Sequence, residues 1–186
     1  MRKNFGPQQW LYPMPVLVIG TYDENGAPDL MVAAWGGIHD TNQLAVCIDP
    51  GHKTAANIRN NKYFTVSIAT ADKVAECDYT GIVSANDEPQ KIAKSGFHIE
   101  KSANINAPLV SELPMALECE MVSFDEKTGC TVANILNVCA DEKILDKNGN
   151  ISPVKLAPLC FDPVNHTYLA LGAVAGKAFA DGKKLF

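Results

Sequence analysis

Short apolar stretches alternate with tight-turn signals along the chain, and this pattern limits the possible folds more than any other feature. Each stretch is rich in aliphatic, β-branched or aromatic residues and has the length of one strand. Seven such stretches are predicted as strands, at residues 16–22, 29–35, 44–49, 63–69, 116–124, 131–140 and 168–171. They do not alternate regularly with helices, which argues against a parallel sheet built from strand–helix–strand units.

Turn-forming residues lie between these stretches. Residues 23–26, Asp-Glu-Asn-Gly, contain the Asn-Gly pair of a tight hairpin. Gly36 and Gly37 are expected to end the second strand, because a backbone without Cβ atoms can turn there or be approached closely. Three short helices are predicted, at residues 54–60, 71–77 and 87–95. We therefore expect a mainly β fold, a closed or half-closed antiparallel barrel with short helical insertions.

Composition places the chain among ordinary globular proteins. Hydrophobic residues make up 47% and charged residues 20% of the 186 residues, which excludes a disordered chain. This length suits a single domain that spans residues 1–186. The formal net charge is −5 and no basic cluster is longer than the pair Lys183 and Lys184, so we expect no nucleic-acid partner.

No targeting or membrane segment is visible in the sequence. The longest run without charged, amide or small hydroxyl residues covers residues 10–20 and contains Pro13 and Pro15. A membrane-spanning helix needs roughly 20 apolar residues, so we expect no membrane insertion. Polar residues follow Met1 where a signal peptide would be apolar, and the expected location is the cytoplasm.

The six cysteines form no Cys-x-x-Cys pair, and most lie in apolar or alternating stretches. They are interpreted as small buried thiols in a reducing compartment rather than as a disulfide framework or a zinc site. No metal site is expected. The cysteines are Cys47, Cys77, Cys119, Cys130, Cys139 and Cys160.

A candidate phosphate site follows the third predicted strand. There the strand runs into Pro50 and Gly51, and a cation and a hydroxyl, Lys53 and Thr54, stand at the start of a helix. Helix N-termini present free N–H groups and a partial positive charge, which suit a phosphate. The alternative is that Thr54 only caps the helix and Lys53 is solvated. The chain has neither G-x-G-x-x-G after a strand nor a Walker sequence, so Rossmann and P-loop sites are excluded.

A second candidate is the strand Met-Val-Ala-Ala-Trp-Gly-Gly at residues 31–37. Its small side chains leave backbone N–H and C=O groups within reach of a flat heteroaromatic ring. The alternative is that these alanines face a crowded barrel interior.

The order of these segments resembles the flavin reductase-like FMN-binding split barrels, in particular their flavoredoxin-type branch. The resemblance rests on five motifs, PMPV, MVAAWGG, PGHKT, CDYTGIVS and FDPVNH, at residues 13–16, 31–37, 50–54, 77–84 and 161–166. It implies a split β-barrel homodimer with one FMN per subunit near the interface. By the family's pattern the isoalloxazine ring contacts Met31, Val32, Ala33, Ala34, Trp35, Cys47 and Ile48. The phosphate contacts Gly51, His52, Lys53, Thr54 and Asn57.

The function implied is an FMN-dependent oxidoreductase that passes electrons to free flavin, a metal complex or a protein acceptor. A flavoredoxin-like electron carrier between protein partners is the alternative, and a flavin-free structural barrel is a third possibility. Use of NAD(P)H stays open, because the turn at residues 127–129 lacks the histidine of the short NADH-using flavin reductases. No catalytic residue is assigned. Glu118, Glu120 and Asp162 are expected to be solvated charges on strand faces.

Overall fold

The computed structural model describes residues 1–185 and contains twelve strands and four α-helices in that part of the chain. The strands are β1 Met14–Pro15, β2 Leu17–Tyr22, β3 Pro28–Ala33, β4 Gly36–Asp40, β5 Gln43–Cys47, β6 Tyr63–Ile68, β7 Ile99–Lys101, β8 Pro108–Val110, β9 Met115–Phe124, β10 Cys130–Ala140, β11 Leu159–Asp162 and β12 Thr167–Ala170. The helices are α1 Lys53–Asn61, α2 Val74–Ile82, α3 Lys91–Ser95 and α4 Pro153–Leu156. None of the helices within residues 1–185 combines the length and the apolar character that a membrane crossing requires.

Seven strands form the main sheet, in the order β3-β2-β6-β9-β10-β5-β4, and all of its pairs are antiparallel. A second sheet has the order β1-β11-β12, and β7 pairs with β8. The expectation of a mainly β, antiparallel fold with short helical insertions is confirmed.

The main sheet curls around an apolar core that α1 closes. Ile19, Val46 and Phe64 point into this core and are completely buried. Ala55 and Ile58 lie on one face of α1, as their spacing predicts, and both are buried in the same cluster. The N-terminus of α1 is therefore fixed at the rim of the barrel.

A second apolar cluster covers the outer face of β2 and β3. Val18 and Leu30 are fully buried there, and Cys77 of α2 packs against them. This packing holds α2 against the outer face of β3, an edge strand of the main sheet. The segment after α2 meets the start of α1 at this edge.

Gly36 and Gly37 open β4 and do not end the preceding strand, so of the two roles expected for them, a turn or a close approach, the turn is wrong. The preceding strand already ends at Ala33. A Cβ atom on Gly36 would lie 2.9 Å from Cδ1 of Leu17 and 3.1 Å from the carbonyl oxygen of Ala45. Glycine is needed at Gly36 because two strands approach closely there, which is the second of the two expected roles.

Two of the three carboxylates expected to be solvated are buried. Glu118 is 1% exposed and Asp162 is 6% exposed. Glu118 accepts hydrogen bonds from Ser102, from Asn104 at 2.7 Å and from Asn137 at 2.6 Å. Strand alternation alone could not predict this, because the donors come from a distant loop and from β10.

Candidate functional site

A cleft of about 230 Å³ lies between the start of α1 and the end of α2. Its floor is formed by Asp29 and Met31 of β3 and by Lys91 of α3. The walls are Gly51, His52, Lys53 and Thr54 on one side and Thr80, Gly81, Ile82, Val83, Ser84, Ala85 and Asn86 on the other. The phosphate motif predicted from the sequence therefore lines a cleft together with residues from two other helices.

The N-terminus of α1 opens into this cleft without a side-chain cap. His52 stands at the N-cap position in extended conformation, and its side chain makes no capping hydrogen bond. Thr54 does not cap the helix either, since its hydroxyl donates to Oδ2 of Asp29 at 2.6 Å. The first N–H groups of the helix thus remain available to an anion.

Two lysines supply positive charge to the cleft. Nζ of Lys53 lies 3.3 Å from Oδ2 of Asp23 and is partly exposed. Lys91 is only 4% exposed, and its Nζ lies 4.0 Å from Oδ1 of Asp29. Burial lowers the pKa of Lys91, the charge of Asp29 opposes this shift, and the nearby Lys53 lowers the pKa further. A bound anion would relieve the repulsion between the two ammonium groups.

One buried oxygen in the cleft floor lacks a partner. Oδ1 of Asp29 accepts no hydrogen bond, although the residue is 2% exposed. Lys91 is its nearest cation, at a distance longer than a hydrogen bond. The ammonium of Lys91 therefore has donors left for a ligand in the cleft.

The cleft brings together Met31, Gly51, His52, Lys53 and Thr54 of the sequence-predicted site. The other predicted residues lie outside it. Val32 faces α2, because a Cβ atom added at Gly81 would lie 3.1 Å from the Cβ atom of Val32. Ala33 and Ile48 belong to the barrel core, and Cys47 lies on the outer face of β5. Asn57 is buried, and its amide donates to Oγ1 of Thr21 at 3.0 Å.

Ala34 and Trp35 line a separate groove beside the N-terminal segment, which is defined here as residues 8–15. This groove measures about 490 Å³ and also contacts Trp10 and Met14. Trp35 is 52% exposed, so a broad aromatic surface faces solvent at the end of β3. The N-terminal segment is held in place by Tyr12, whose hydroxyl donates to Asp162. That hydrogen bond and another from Asn165 hold the pKa of Asp162 well below its usual range.

Sequence reasoning did not assign Asp29, Lys91 or residues 80–86 to the site, although residues 77–84 are among the motifs that carry the family resemblance. Gly81 offered one local signal, because a glycine inside a helix often marks a close approach between backbones. Asp29 and Lys91 carry no such signal, since each matters only through the other and through the fold. Within residues 1–185, no group of three His, Cys, Asp or Glu residues is placed to hold a metal ion.

A family model described as "Flavin reductase like domain" matches residues 10–161. Flavoredoxin of Desulfovibrio vulgaris (Miyazaki F) has 34% sequence identity and a TM-score of 0.93, over 98% of this chain and 100% of that chain. Flavoredoxin from Methanosarcina acetivorans has 26% identity and a TM-score of 0.91, over 100% of both chains.

A more distant structure has the same fold. The FMN-binding domain of a flavin reductases-like enzyme from Shewanella baltica OS155 has 19% identity and a TM-score of 0.79, over 88% of each chain. The split β-barrel expected from the sequence is therefore confirmed. The chain also spans 44% of the length of a curated relative, an uncharacterized protein of Aeropyrum pernix that is 30% identical over 118 residues, 62% of this chain.

Proposed function

Because the chain belongs to the family of flavin reductase like domains, in its flavoredoxin-type branch, we propose that it is an FMN-dependent oxidoreductase. Its electron acceptors would be free flavin, a metal complex or a protein. FMN supplies reversible hydride and electron transfer when bound, and the protein supplies binding and orientation. The observation that carries this proposal is the meeting of Lys53, Lys91 and the uncapped start of α1 in one cleft.

The donor set of the cleft suits one phosphate monoester. The N–H groups at the start of α1 and the ammonium of Lys53 can contact its oxygens from one wall. Lys91 can donate from the floor while it stays close to Asp29. The sequence contains no adenylate-binding motif, which favours FMN over FAD. Thr54 acts indirectly, because its hydrogen bond to Asp29 fixes the carboxylate beside Lys91.

The ring of FMN would extend from this cleft along β3. Met31 lies in the cleft and Trp35 lies beyond the end of the strand, so these residues bound the path that a ring could follow. Val32 and Ala33 would contribute through their backbone groups, because their side chains face α2 and the core.

The absorbance spectrum of the purified protein tests the cofactor. We expect flavin bands, and FMN as the chromophore released by heat and identified by chromatography. Release of FAD alone would contradict the phosphate assignment. A protein that is colourless and takes up no added FMN would favour the flavin-free barrel.

An electron carrier without catalytic turnover of its own is the second candidate function. The 34% identity to a flavoredoxin over 98% of the chain favours it. Oxidation of NADH or NADPH in the presence of added FMN distinguishes the two. Rapid turnover supports the reductase, whereas no turnover, together with reduction by a redox protein, supports the carrier.

We also propose that the protein is a homodimer. Large apolar side chains are exposed near both ends of the chain, among them Leu11 at 69%, Val174 at 86% and Phe179 at 97%. An interface with a second copy of the chain would remove these side chains from water. Light scattering of the FMN-loaded protein at micromolar concentration should give twice the mass of the chain, and a monomer with FMN bound would contradict the proposal.

A further inference from the structure

Two cysteines face each other across neighbouring strands of the main sheet. Cys47 is the last residue of β5 and Cys130 is the first residue of β10, and they are register partners. Directly opposed residues of an antiparallel pair project from the same face of a sheet. Both residues are partly exposed and both thiols are free.

The shared face is the outer one. Val46 and Ile48, on either side of Cys47, are buried in the barrel core. Thr131, next to Cys130, is likewise fully buried. Because side chains alternate along a strand, Cys47 and Cys130 point away from the core and towards the surface.

The backbone places this pair where side chains come closest. The N–H of Cys47 donates to the carbonyl of Trp35, the residue before β4, so it does not bond to β10. The carbonyl of Cys130 accepts from Asp125, on the side away from β5. Cys47 and Cys130 thus form a non-hydrogen-bonded pair, for which Cα atoms typically lie about 4.5 Å apart. That spacing falls within the range that a disulfide can bridge, roughly 4.4–6.8 Å.

The other four cysteines have different neighbours. Cys77 and Cys119 are buried, and burial raises the pKa of each thiol to about 12. Cys139 lies opposite Ala116, and Cys160 lies opposite Pro15 and Leu169. Within residues 1–185, Cys47 and Cys130 are therefore the only two cysteines that lie directly opposite each other on paired strands.

We propose that Cys47 and Cys130 form a reversible dithiol–disulfide site, a two-electron redox couple separate from the cleft, whose oxidant is a small-molecule disulfide. The thiolate of Cys130 attacks the small disulfide and releases one small thiol, leaving a mixed disulfide on Cys130. Cys47 then attacks the Cys130 sulfur, and a second small thiol leaves. The two cysteines lose two electrons and two protons, and the small disulfide gains both to become two thiols.

The order of attack follows from the surroundings of Cys47. Burial and the neighbouring Cys130 raise the pKa of the Cys47 thiol. A thiol with a raised pKa is less often present as the attacking thiolate, which suits Cys47 as the residue that attacks second, inside the mixed disulfide.

Treatment of the folded protein with oxidised glutathione tests this proposal. After acid quenching, we expect the intact mass to fall by two hydrogen atoms, and non-reducing peptide mapping to link the peptides of Cys47 and Cys130. Dithiothreitol should restore the original mass. A link that involves other cysteines, a link between two chains, or modification elsewhere while both thiols stay free would overturn the proposal.

Three variants sharpen the test. In the Cys47→Ser variant the reaction should stop at the mixed disulfide, with one glutathione bound to Cys130. Cys130→Ser should form no internal disulfide and should take up glutathione at residue 47 more slowly. Cys160→Ser removes a partly exposed cysteine outside the pair and should behave like the unmodified chain. Peptide mapping of the unmodified chain decides the question even if a variant does not fold.

Discussion

The ammonium of Lys91 lies 4.0 Å from Oδ1 of Asp29, and both side chains are almost completely buried. The other carboxylate oxygen of Asp29 accepts the hydroxyl of Thr54 at 2.6 Å. One aspartate on β3 therefore connects the start of α1 with α3. In this arrangement the buried ammonium of Lys91 lines the cleft beside the uncapped N-terminus of α1.

Substitution of Lys53 tests the phosphate site directly. Lys53→Ala removes a charge-assisted contact, and FMN binding should weaken by ~1–3 kcal/mol, about 5- to 150-fold. Affinity for riboflavin, which lacks the phosphate, should change little. Quenching of flavin fluorescence measures both affinities.

Lys143→Ala is the matched control for Lys53→Ala. Lys143 pairs with Asp141 at 3.0 Å, as Lys53 pairs with Asp23 at 3.3 Å, but it lies outside the cleft. Each substitution breaks one surface ion pair, and only Lys53→Ala should weaken the binding of FMN. Equal loss of FMN and riboflavin affinity in Lys53→Ala would point to damage to the fold, and no loss would leave Lys53 as a solvated cation.

The charge of Lys91 should make FMN binding depend on pH in alkaline solution. Burial lowers the pKa of Lys91 from the ordinary 10.5 in the free protein, and a phosphate beside it would favour the charged form. The ratio of FMN to riboflavin affinity should therefore fall as pH rises through the lowered pKa. Titrations from neutral pH to pH ~10 measure this ratio, and Lys91→Met should make it independent of pH in that range.

Folding stability should change with pH in the opposite direction. The unfolded state binds a proton on Lys91 more tightly than the flavin-free folded state does. Stability contributed by this group should thus increase with pH between the lowered pKa and 10.5. A flavin-free Lys91→Met protein that keeps the same increase would show that other groups cause it.

Glu118 should be important for stability. Burial raises the pKa of Glu118, but hydrogen bonds from Ser102, Asn104 and Asn137 outweigh it, so the net shift is downward. Glu118→Gln places an amide NH₂ group against these donors and should destabilise the protein by ~1–3 kcal/mol. Urea denaturation measures the loss.

Glu120→Gln serves as the control for Glu118→Gln, because Glu120 accepts a single hydrogen bond, from Tyr63 at 3.2 Å. A glutamine can keep that bond, so its effect should stay within ~0.5 kcal/mol. Equal effects of the two substitutions would mean that the buried hydrogen bonds of Glu118 add little. The contribution of Glu118 should also be lost on acidification, because its carboxyl pKa is lowered in the folded state.

Gly129 should tolerate no side chain. Its φ is +68°, and a Cβ atom would lie 2.0 Å from the carbonyl oxygen of Ile48. Gly149 has a similar φ of +80° but nothing within 4 Å of a Cβ. Gly149→Ala should therefore cost about 1–2 kcal/mol through its backbone conformation alone. Gly129→Ala should cost roughly 1–3 kcal/mol more because the added atom would overlap the carbonyl of Ile48. Similar melting temperatures for the two variants would contradict this contact.

Elements that depend on neighbouring residues could be predicted from the sequence. The hairpin at residues 23–26 follows from its Asn-Gly pair, and the strands follow from apolar stretches bounded by turns. The loop from Gly51 to Thr54 could also be found, because the cation, the hydroxyl and the helix start are consecutive residues.

Contacts between distant segments were decided only by the tertiary structure. In each of three contacts the partners come from distant parts of the chain. Lys91 lies beside Asp29, Asn137 donates to Glu118, and Cys130 lies opposite Cys47. Strand register and helix packing select these partners, and both depend on how the whole apolar core is filled. The sequence by itself determined seven of the twelve strands, the hairpin and the phosphate loop, since backbone preferences and side-chain alternation act over a few residues. Packing determined which polar groups are buried together, because burial is a property of surfaces that meet only after the chain has folded.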